Sequence, residues 1–177
     1  MNKKSLVNFW VFLFVVIAVL LKAYFLSQRG YEMDIATFLE WSGKIRSEGF
    51  WSLYSSGYQS SLDYPPLVPL IGKYWLDLRG SFSVNELTFF KLMPTVAELF
   101  FSLITALIVY RSKSQYKIPL LAFVIIQPAL GLITSAWGQV DSILSLFIIG
   151  AFVLIERNLY LSSLLLFLAF LTKPQAV

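Results

Sequence analysis

The side chains of this sequence that could do chemistry are carboxylates, amides and lysines, and three short segments hold the main acidic candidates. Each segment holds at least one acidic residue: Glu32-Met33-Asp34, Asp63-Tyr64-Pro65-Pro66-Leu67 and Ala136-Trp137-Gly138-Gln139-Val140-Asp141-Ser142. The chain has no cysteine and no histidine, which excludes a thiolate nucleophile, the usual zinc sites and a histidine-based catalytic triad. Chemistry must therefore rest on carboxylates, basic residues, tyrosines, amides or a bound metal.

The composition shows what kind of protein must position these groups. Hydrophobic residues make up 58% of the 177 residues, charged residues only 14%, and the mean hydropathy is +0.72. A soluble domain carries about a quarter of its residues as charged ones, so this chain cannot cover its surface with charge and needs the lipid bilayer as its solvent. The net charge of +4 comes from basic residues beside apolar stretches, which is typical of topology signals. We therefore expect no binding to nucleic acid.

The hydropathy pattern predicts an all-α polytopic membrane protein with about five transmembrane helices. A span needs about 20 mostly apolar residues, because each adds about 1.5 Å and the hydrocarbon core is about 30 Å thick. The predicted spans are residues 7–26, 92–110, 118–137, 143–155 and 159–171. The first stretch could instead belong to a signal peptide, but it is too long and no Ala-x-Ala-like cleavage site follows it.

Residues 27–88 form a long first outer loop in this prediction. Asp34–Ile45 has the apolar spacing of a helix, with Ile35 and Phe38 on one face, and we expect it to lie at the membrane surface. Leu67–Leu78 is apolar but too short to cross, so a re-entrant or interfacial position is expected. No internal repeat is present, and residues 1–177 are one membrane module.

Basic residues set the expected orientation. Those that flank the first three spans on one side are Lys3, Lys4, Arg111, Lys113 and Lys117. The positive-inside rule places this side, and with it the N-terminus, in the cytoplasm. The residues that then lie together on the outer face are Asp34, Asp63, Asp141 and Lys173.

The three acidic segments, followed in order by Lys173-Pro174-Gln175, resemble the GT-C superfamily of membrane glycosyltransferases. The nearest likeness is to bacterial proteins similar to the mannosyltransferases of glycosylphosphatidylinositol assembly. The resemblance covers the whole chain but only the N-terminal part of such an enzyme, since members of the family are considerably longer. It implies an inverting transferase in the bacterial plasma membrane that takes a sugar, with mannose as the leading candidate, from a polyprenyl-phosphate carrier.

The resemblance also implies a catalytic carboxylate in the first outer loop, where Glu32 and Asp34 stand. Asp34 is the candidate base, because an acceptor hydroxyl needs a carboxylate within hydrogen-bond reach to take its proton. The family often has two aspartates here, so Glu32 departs from its pattern, and a divalent metal is left open as a cofactor. As an alternative, either carboxylate could cap the helix that follows.

The loop before the fourth span faces the active site by the same resemblance. Asp141 is a third catalytic candidate, with a helix cap as the alternative, while Trp137 could stack on a sugar ring and Gln139 could bind its hydroxyls. Basic residues could neutralise the departing phosphate, although a lysine at the end of a span is ordinarily there to snorkel. Lys173 is the main candidate for that task, and the weaker substrate-binding candidates are Arg29, Lys91 and Asp63.

Glu98 lies inside the second span, where an ionisable group must face protein or water. We expect a packing role, protonated or hydrogen-bonded, rather than a proton relay. Two other interpretations of the chain remain. One is a non-catalytic subunit or truncated relic, since the sequence stops abruptly after the fifth span and a partner subunit or a C-terminal half would complete it. The other is a small transporter, which predicts charge pairs or broken helices at mid-membrane.

Overall fold

In the computed structural model, which describes residues 3–54 and 65–173, every regular element is helical and no strand occurs. The α-helices are α1 (Lys3–Ser27), α2 (Glu32–Glu48), α3 (Leu67–Leu78), α4 (Glu86–Arg111), α5 (Lys117–Ile126), α6 (Pro128–Gly131), α7 (Asp141–Leu154) and α8 (Leu159–Thr172). Short 3-10 helices follow α2 at Phe50–Tyr54 and α3 at Arg79–Ser81, and a π-helix occupies Leu132–Trp137. The predicted all-α class is therefore confirmed for the described residues.

Three helical stretches are long and apolar enough to cross a membrane: Lys4–Ser27, Glu86–Arg111 and Lys117–Trp137. The shortest has 21 residues, which corresponds to about 32 Å. Helices α7 and α8 have 14 residues each and reach only about 21 Å, less than the hydrocarbon thickness of about 30 Å. Helices occur at all five predicted positions, and the crossing of the last two stays a prediction.

The long helices expose apolar faces. On α1 the side chains of Phe12 and Leu20 are 68% and 65% exposed, and on α5 Phe123 is 75% exposed. In water, such surface would cost about 25 cal/mol for each Å² left unburied, whereas lipid tails solvate it. These faces are compatible with an integral membrane protein.

The third long stretch, which matches the predicted span over 118–137, contains a break in its helix. Helix α5 ends at Ile126, and Gln127 adopts the left-handed conformation with a φ of 31°. The cause is Pro128, because proline has no N–H to donate and disfavours the helical conformation in the residue before it. The π-helix that follows widens the last turns before Gly138. Gly138, with a φ of 90°, then turns the chain just before Gln139.

The apolar face of helix α2 is buried against protein, and the position of this helix at the membrane surface stays a prediction. Its predicted apolar residues Ile35, Phe38 and Ile45 are all less than a tenth exposed, and they pack on protein instead of lipid. The ring of Phe38 stacks on Phe90 of α4 with the ring centroids 5.7 Å apart. The core lies where α2 and α3 meet the beginnings of α4 and α7, and its buried members are Ile35, Phe38, Trp41, Ile45, Leu53, Val68, Phe90, Met93, Ala97, Val140 and Ile143.

Helix α3 packs against α2 and α4, and its 12 residues span only about 18 Å. Gly72 allows the close approach, because a Cβ at this position would collide with the hydroxyl of Ser42. In the last turn of α3, Asp77 accepts from Lys73 at 2.8 Å and pairs with Arg46 of α2 at 3.3 Å. The hydrogen bond from Lys73 and the charges of both cations hold the pKa of Asp77 below its usual value.

Helices α7 and α8 form an antiparallel hairpin. Small residues line the contact: Ala151 and Ala169 are almost fully buried, and the hydroxyl of Ser162 donates to the carbonyl of Ala151 at 2.9 Å. Small side chains let two helices approach closely. The hairpin brings the last residue described, Lys173, beside the beginning of α7.

A buried ion pair joins α1 to α4. The ammonium of Lys22 contacts one carboxylate oxygen of Glu98, whose side chain is fully buried, and Thr134 of the π-helix donates to the other oxygen. Nearby, the hydroxyls of Thr95 and Ser135 lie 3.0 Å apart. Glu98 therefore faces protein, as predicted, but the sequence analysis did not identify Lys22 as its partner.

Candidate functional site

Asp34 and Gln139 meet at one end of the helix bundle, which we call the site end. The side-chain amide of Gln139 donates to the carboxylate of Asp34 across 105 residues of sequence. Both side chains are partly exposed. The amide therefore fixes the orientation of Asp34 and leaves part of the carboxylate accessible from outside the protein.

Two glycines shape the backbone that holds this pair. Gly30 and Gly138 have φ angles of 82° and 90°, a conformation that costs little only for glycine. A Cβ on Gly30 would collide with the carbonyl of Ala136, and a Cβ on Gly138 would lie 2.8 Å from the side chain of Ile35. The connection between α1 and α2 thus packs directly on the turn before α7.

Lys91 also holds the connection between α1 and α2 in place. Its buried ammonium donates to the carbonyls of Leu26 at 2.8 Å and Gln28 at 2.5 Å, at the C-terminal end of α1. The last carbonyls of a helix have no partner within the helix, so a lysine there acts as a cap. Lys91 was a weak candidate for phosphate binding. In the structure its ammonium instead binds the carbonyls at the end of α1.

A second polar pair lies beside the first. The ammonium of Lys173, at the end of α8, donates to the carboxylate of Asp141 at 2.7 Å. Asp141 stands only two residues after Gln139, so the two pairs share one turn of chain. The side chains of Lys173 and Asp141 are 22% and 38% exposed. An anion arriving at this turn would therefore find Lys173 accessible.

Helix capping, the alternative for the acidic residues, is not what the structure shows. The N-cap of α2 is Tyr31 and that of α7 is Val140, and neither cap makes a side-chain hydrogen bond to its helix. Glu32 and Asp34 lie in the first turn of α2, and Asp141 is the first residue of α7. The positive end of each helix dipole still stabilises the charge of these carboxylates.

An open cavity of about 380 Å³ borders the site end. Tyr31 and Trp137 form its aromatic wall, with their ring centroids 5.4 Å apart, and both rings are exposed. The other lining residues are Gln28, Gly30, Leu132 and Ala136. An exposed aromatic wall next to a carboxylate is a surface on which a sugar ring can stack.

The remaining predicted residues lie around this cavity or outside the described residues. Arg29 is exposed in the connection from α1 to α2, and Glu32 is exposed at the first position of α2. Asp63 lies outside the described residues. The structure thus brings together Asp34, Gln139, Asp141, Lys173 and Trp137.

A divalent metal fits these residues poorly. Mg²⁺ prefers six oxygen ligands in near-octahedral geometry. Asp34 already accepts from an amide and Asp141 from an ammonium, and no group of three potential metal ligands occurs within residues 3–54 and 65–173. We derive no step through a metal.

Sequence reasoning missed the role of the glycines and the contact of Lys91 with the end of α1. A sequence signal existed for Gly138, which stands between two candidate site residues where a turn is needed.

Comparison of the chain with models of protein families, with curated proteins and with solved structures found no match. Membership of a glycosyltransferase family therefore stays a prediction from the resemblance.

Proposed function

We propose that this chain is the N-terminal membrane module of a glycosyltransferase of the GT-C type. It moves a sugar, with mannose as the leading candidate, from a polyprenyl phosphate to an acceptor hydroxyl at the outer membrane face. Five spans, with α2 and α3 on the outer face and the N-terminus in the cytoplasm, are part of this proposal. A lipid-linked donor presents its sugar near the interface, where the site end lies in this topology.

One observation carries the proposal: the Asp34–Gln139 and Asp141–Lys173 pairs share one turn of chain beside an aromatic cavity. The arrangement offers a carboxylate to accept a proton, a cation to meet a phosphate and exposed rings for a sugar. These are the three groups that transfer of a sugar from a lipid phosphate needs.

In the proposed step, the acceptor oxygen attacks the anomeric carbon while Asp34 takes the hydroxyl proton. The new glycosidic bond forms as the bond from the anomeric carbon to the phosphate oxygen breaks. The electron pair of that bond leaves with the polyprenyl phosphate, and attack from the opposite side inverts the anomeric centre. Gln139 orients the base throughout.

Lys173 stabilises the charge that develops on the leaving phosphate. Its ion pair with Asp141 keeps the ammonium at the site before the donor binds. When the phosphate gains negative charge, it attracts the same ammonium. Asp141 is therefore a positioning residue in this scheme rather than a second base.

Replacing Asp34 tests the proposal directly. We expect Asp34→Asn to lower transfer from a radiolabelled polyprenyl-phosphate mannose by about 100-fold to 10,000-fold, the usual contribution of a general base. The matched control is Glu48→Gln, which removes one carboxylate from the exposed far end of the same helix and should transfer at the normal rate. The assay uses membranes that contain the full natural protein. Unchanged transfer by Asp34→Asn would reject Asp34 as the base.

The topology is tested separately, with the help of a chain that has no native cysteine. An impermeant maleimide added to intact cells should label Ser83→Cys, before α4, and should not label Ser114→Cys, between α4 and α5. Labelling of position 114 from outside would reverse the orientation and contradict an outer site.

A second candidate function is a small transporter, and one observation favours it. A transporter is expected to have charge pairs or broken helices inside the membrane. The described residues contain both, in the Lys22–Glu98 pair and the break at Gln127. The pair is closed off, however, with side chains 7% and 0% exposed. Proteoliposomes with a pH-sensitive dye test this function, since a proton transporter would acidify their lumen under an imposed gradient.

A further inference from the structure

The end of the bundle opposite Asp34, which we call the basic end, carries a cavity of about 630 Å³. The residues that give it its charge share one sign: Lys4, Arg111, Lys113 and Lys117. No carboxylate lines the cavity, and the ion pairs among the described residues all involve other cations. Four cations gathered at one cavity attract an anion from outside the chain.

The N-terminus of α5 lies at the same cavity. Lys117 and Ile118, the first two residues of α5, line it, and no side chain caps this helix. The free N–H groups at a helix N-terminus bind phosphate oxygens well, and the dipole adds to the attraction. Serine hydroxyls at positions 112 and 114 complete the polar wall.

An apolar groove of about 230 Å³ adjoins this cavity. It lies between α1, α4 and α5, and Tyr110 lines both the groove and the cavity. The groove runs along α4 from Tyr110 to Leu99, about 17 Å at the rise of a helix. The small side chains of Ser102 and Ala106 open it. Its walls belong to helices whose outer faces are exposed and apolar, so it opens toward lipid.

We propose that the basic end binds one anionic phospholipid, with its phosphate in the cavity and one acyl chain in the groove. A soluble phosphate would use the cavity but not the groove, and a neutral lipid would use the groove but not the cations. Only an anionic lipid matches both parts of the surface. The inference goes beyond the proposed function and does not depend on it.

The positive-inside rule gives these cations another task, since basic residues beside spans set orientation. That task needs positive charge near the membrane but no cavity, no groove and no selectivity among lipids. Lipid selectivity of the purified protein therefore separates a binding site from a topology signal.

The experiment measures lipid binding to the purified, detergent-solubilised protein by native mass spectrometry. The probes are phosphatidylglycerol and phosphatidylcholine with identical acyl chains. We expect phosphatidylglycerol to bind at least about tenfold more tightly, and Lys113→Gln to weaken it about fivefold, the usual contribution of one basic residue near an anionic surface. The matched control Arg157→Gln, in the exposed turn after α7, should bind like the natural protein.

A second pair of variants tests the groove. Ala106→Phe fills it and should weaken phosphatidylglycerol about tenfold, while Ile108→Phe, on the exposed face of the same helix, should not. Equal affinity for the two lipids would overturn the proposal, as would equal losses in Lys113→Gln and Arg157→Gln. Full displacement of the lipid by millimolar glycerol 1-phosphate would also overturn it, in favour of a soluble phosphate.

Discussion

At the site end, α2 and α3 cover the beginnings of α4 and α7 and bury a continuous core, whereas at the basic end α1, α4 and α5 leave an apolar groove between them. The charges differ in the same way. Asp141 and Asp77 at the site end have cationic partners, while the basic end gathers cations of one sign.

This difference shows how each end obtains its geometry. Opposite charges that face each other hold two elements in one arrangement, and glycines between them let the backbones touch. A cluster of one sign repels itself, and we propose that an anion from outside completes it. The following predictions test this contrast, beginning with the largest expected effect.

Breaking the buried ion pair should destabilise the protein most. Glu98→Leu leaves Lys22 buried without a partner and should lower the free energy of unfolding by about 3 to 5 kcal/mol. Lys22→Met combined with Glu98→Leu should recover most of that loss. Lys117→Met, at the basic end, should change it by less than about 0.5 kcal/mol. Unfolding by sodium dodecyl sulfate in mixed micelles measures the natural protein and the three variants. An unchanged free energy of unfolding in Glu98→Leu would contradict the difference between paired and unpaired charges.

Adding one methyl group at Gly138 should have the next largest effect. Gly138→Ala meets Ile35 and strains a positive φ, so we expect a loss of about 2 kcal/mol. Gly43→Ala is the matched control: it lies within α2 with no neighbour near the added Cβ and should gain about 0.5 to 1 kcal/mol. The same unfolding assay measures both. Equal effects would mean that the turn before α7 does not need its tight backbone.

The smallest effect concerns Asp77, whose pKa is lowered chiefly by the hydrogen bond from Lys73. A lowered pKa means that the folded protein binds this proton less well than the unfolded chain. Its stabilising effect is therefore complete above the usual aspartate pKa of about 4, and it is lost as the pH falls through the lowered value. Asp77→Asn should flatten the acidic part of the curve of unfolding midpoint against pH. A curve identical to that of the natural protein would remove Asp77 as a link between α2 and α3.

Hydropathy was enough to predict where the helices lie, because apolar stretches and their flanking charges are local features. The break at Gln127 was missed although Pro128 signals it, since a proline in a span can also be accommodated without a break. The packing of the apolar face of α2 on protein was not predicted, because such a face suits lipid as well as protein.

The site was predictable as a set of residues but not as a set of contacts. Local patterns singled out Asp34, Gln139, Asp141 and Lys173 separately. No spacing rule joins Asp34 to Gln139 across 105 residues, or Lys22 to Glu98 across 76. Lys22 had a signal of its own, as a cation within the first span. The catalytic roles still rest on the resemblance and await the transfer assay.

The buried pair also bears on how the first two long helices enter the membrane. Lys22 enters the membrane with the first helix, and Glu98 is synthesised 76 residues later, about 4 to 15 seconds at 5 to 20 residues per second. Lys22 lies five residues before the end of α1, so its ammonium can reach the interface during this interval. When α4 enters, Glu98 draws the ammonium inward. We therefore expect the first helix to take its final position in the bilayer only after the second long helix has been inserted.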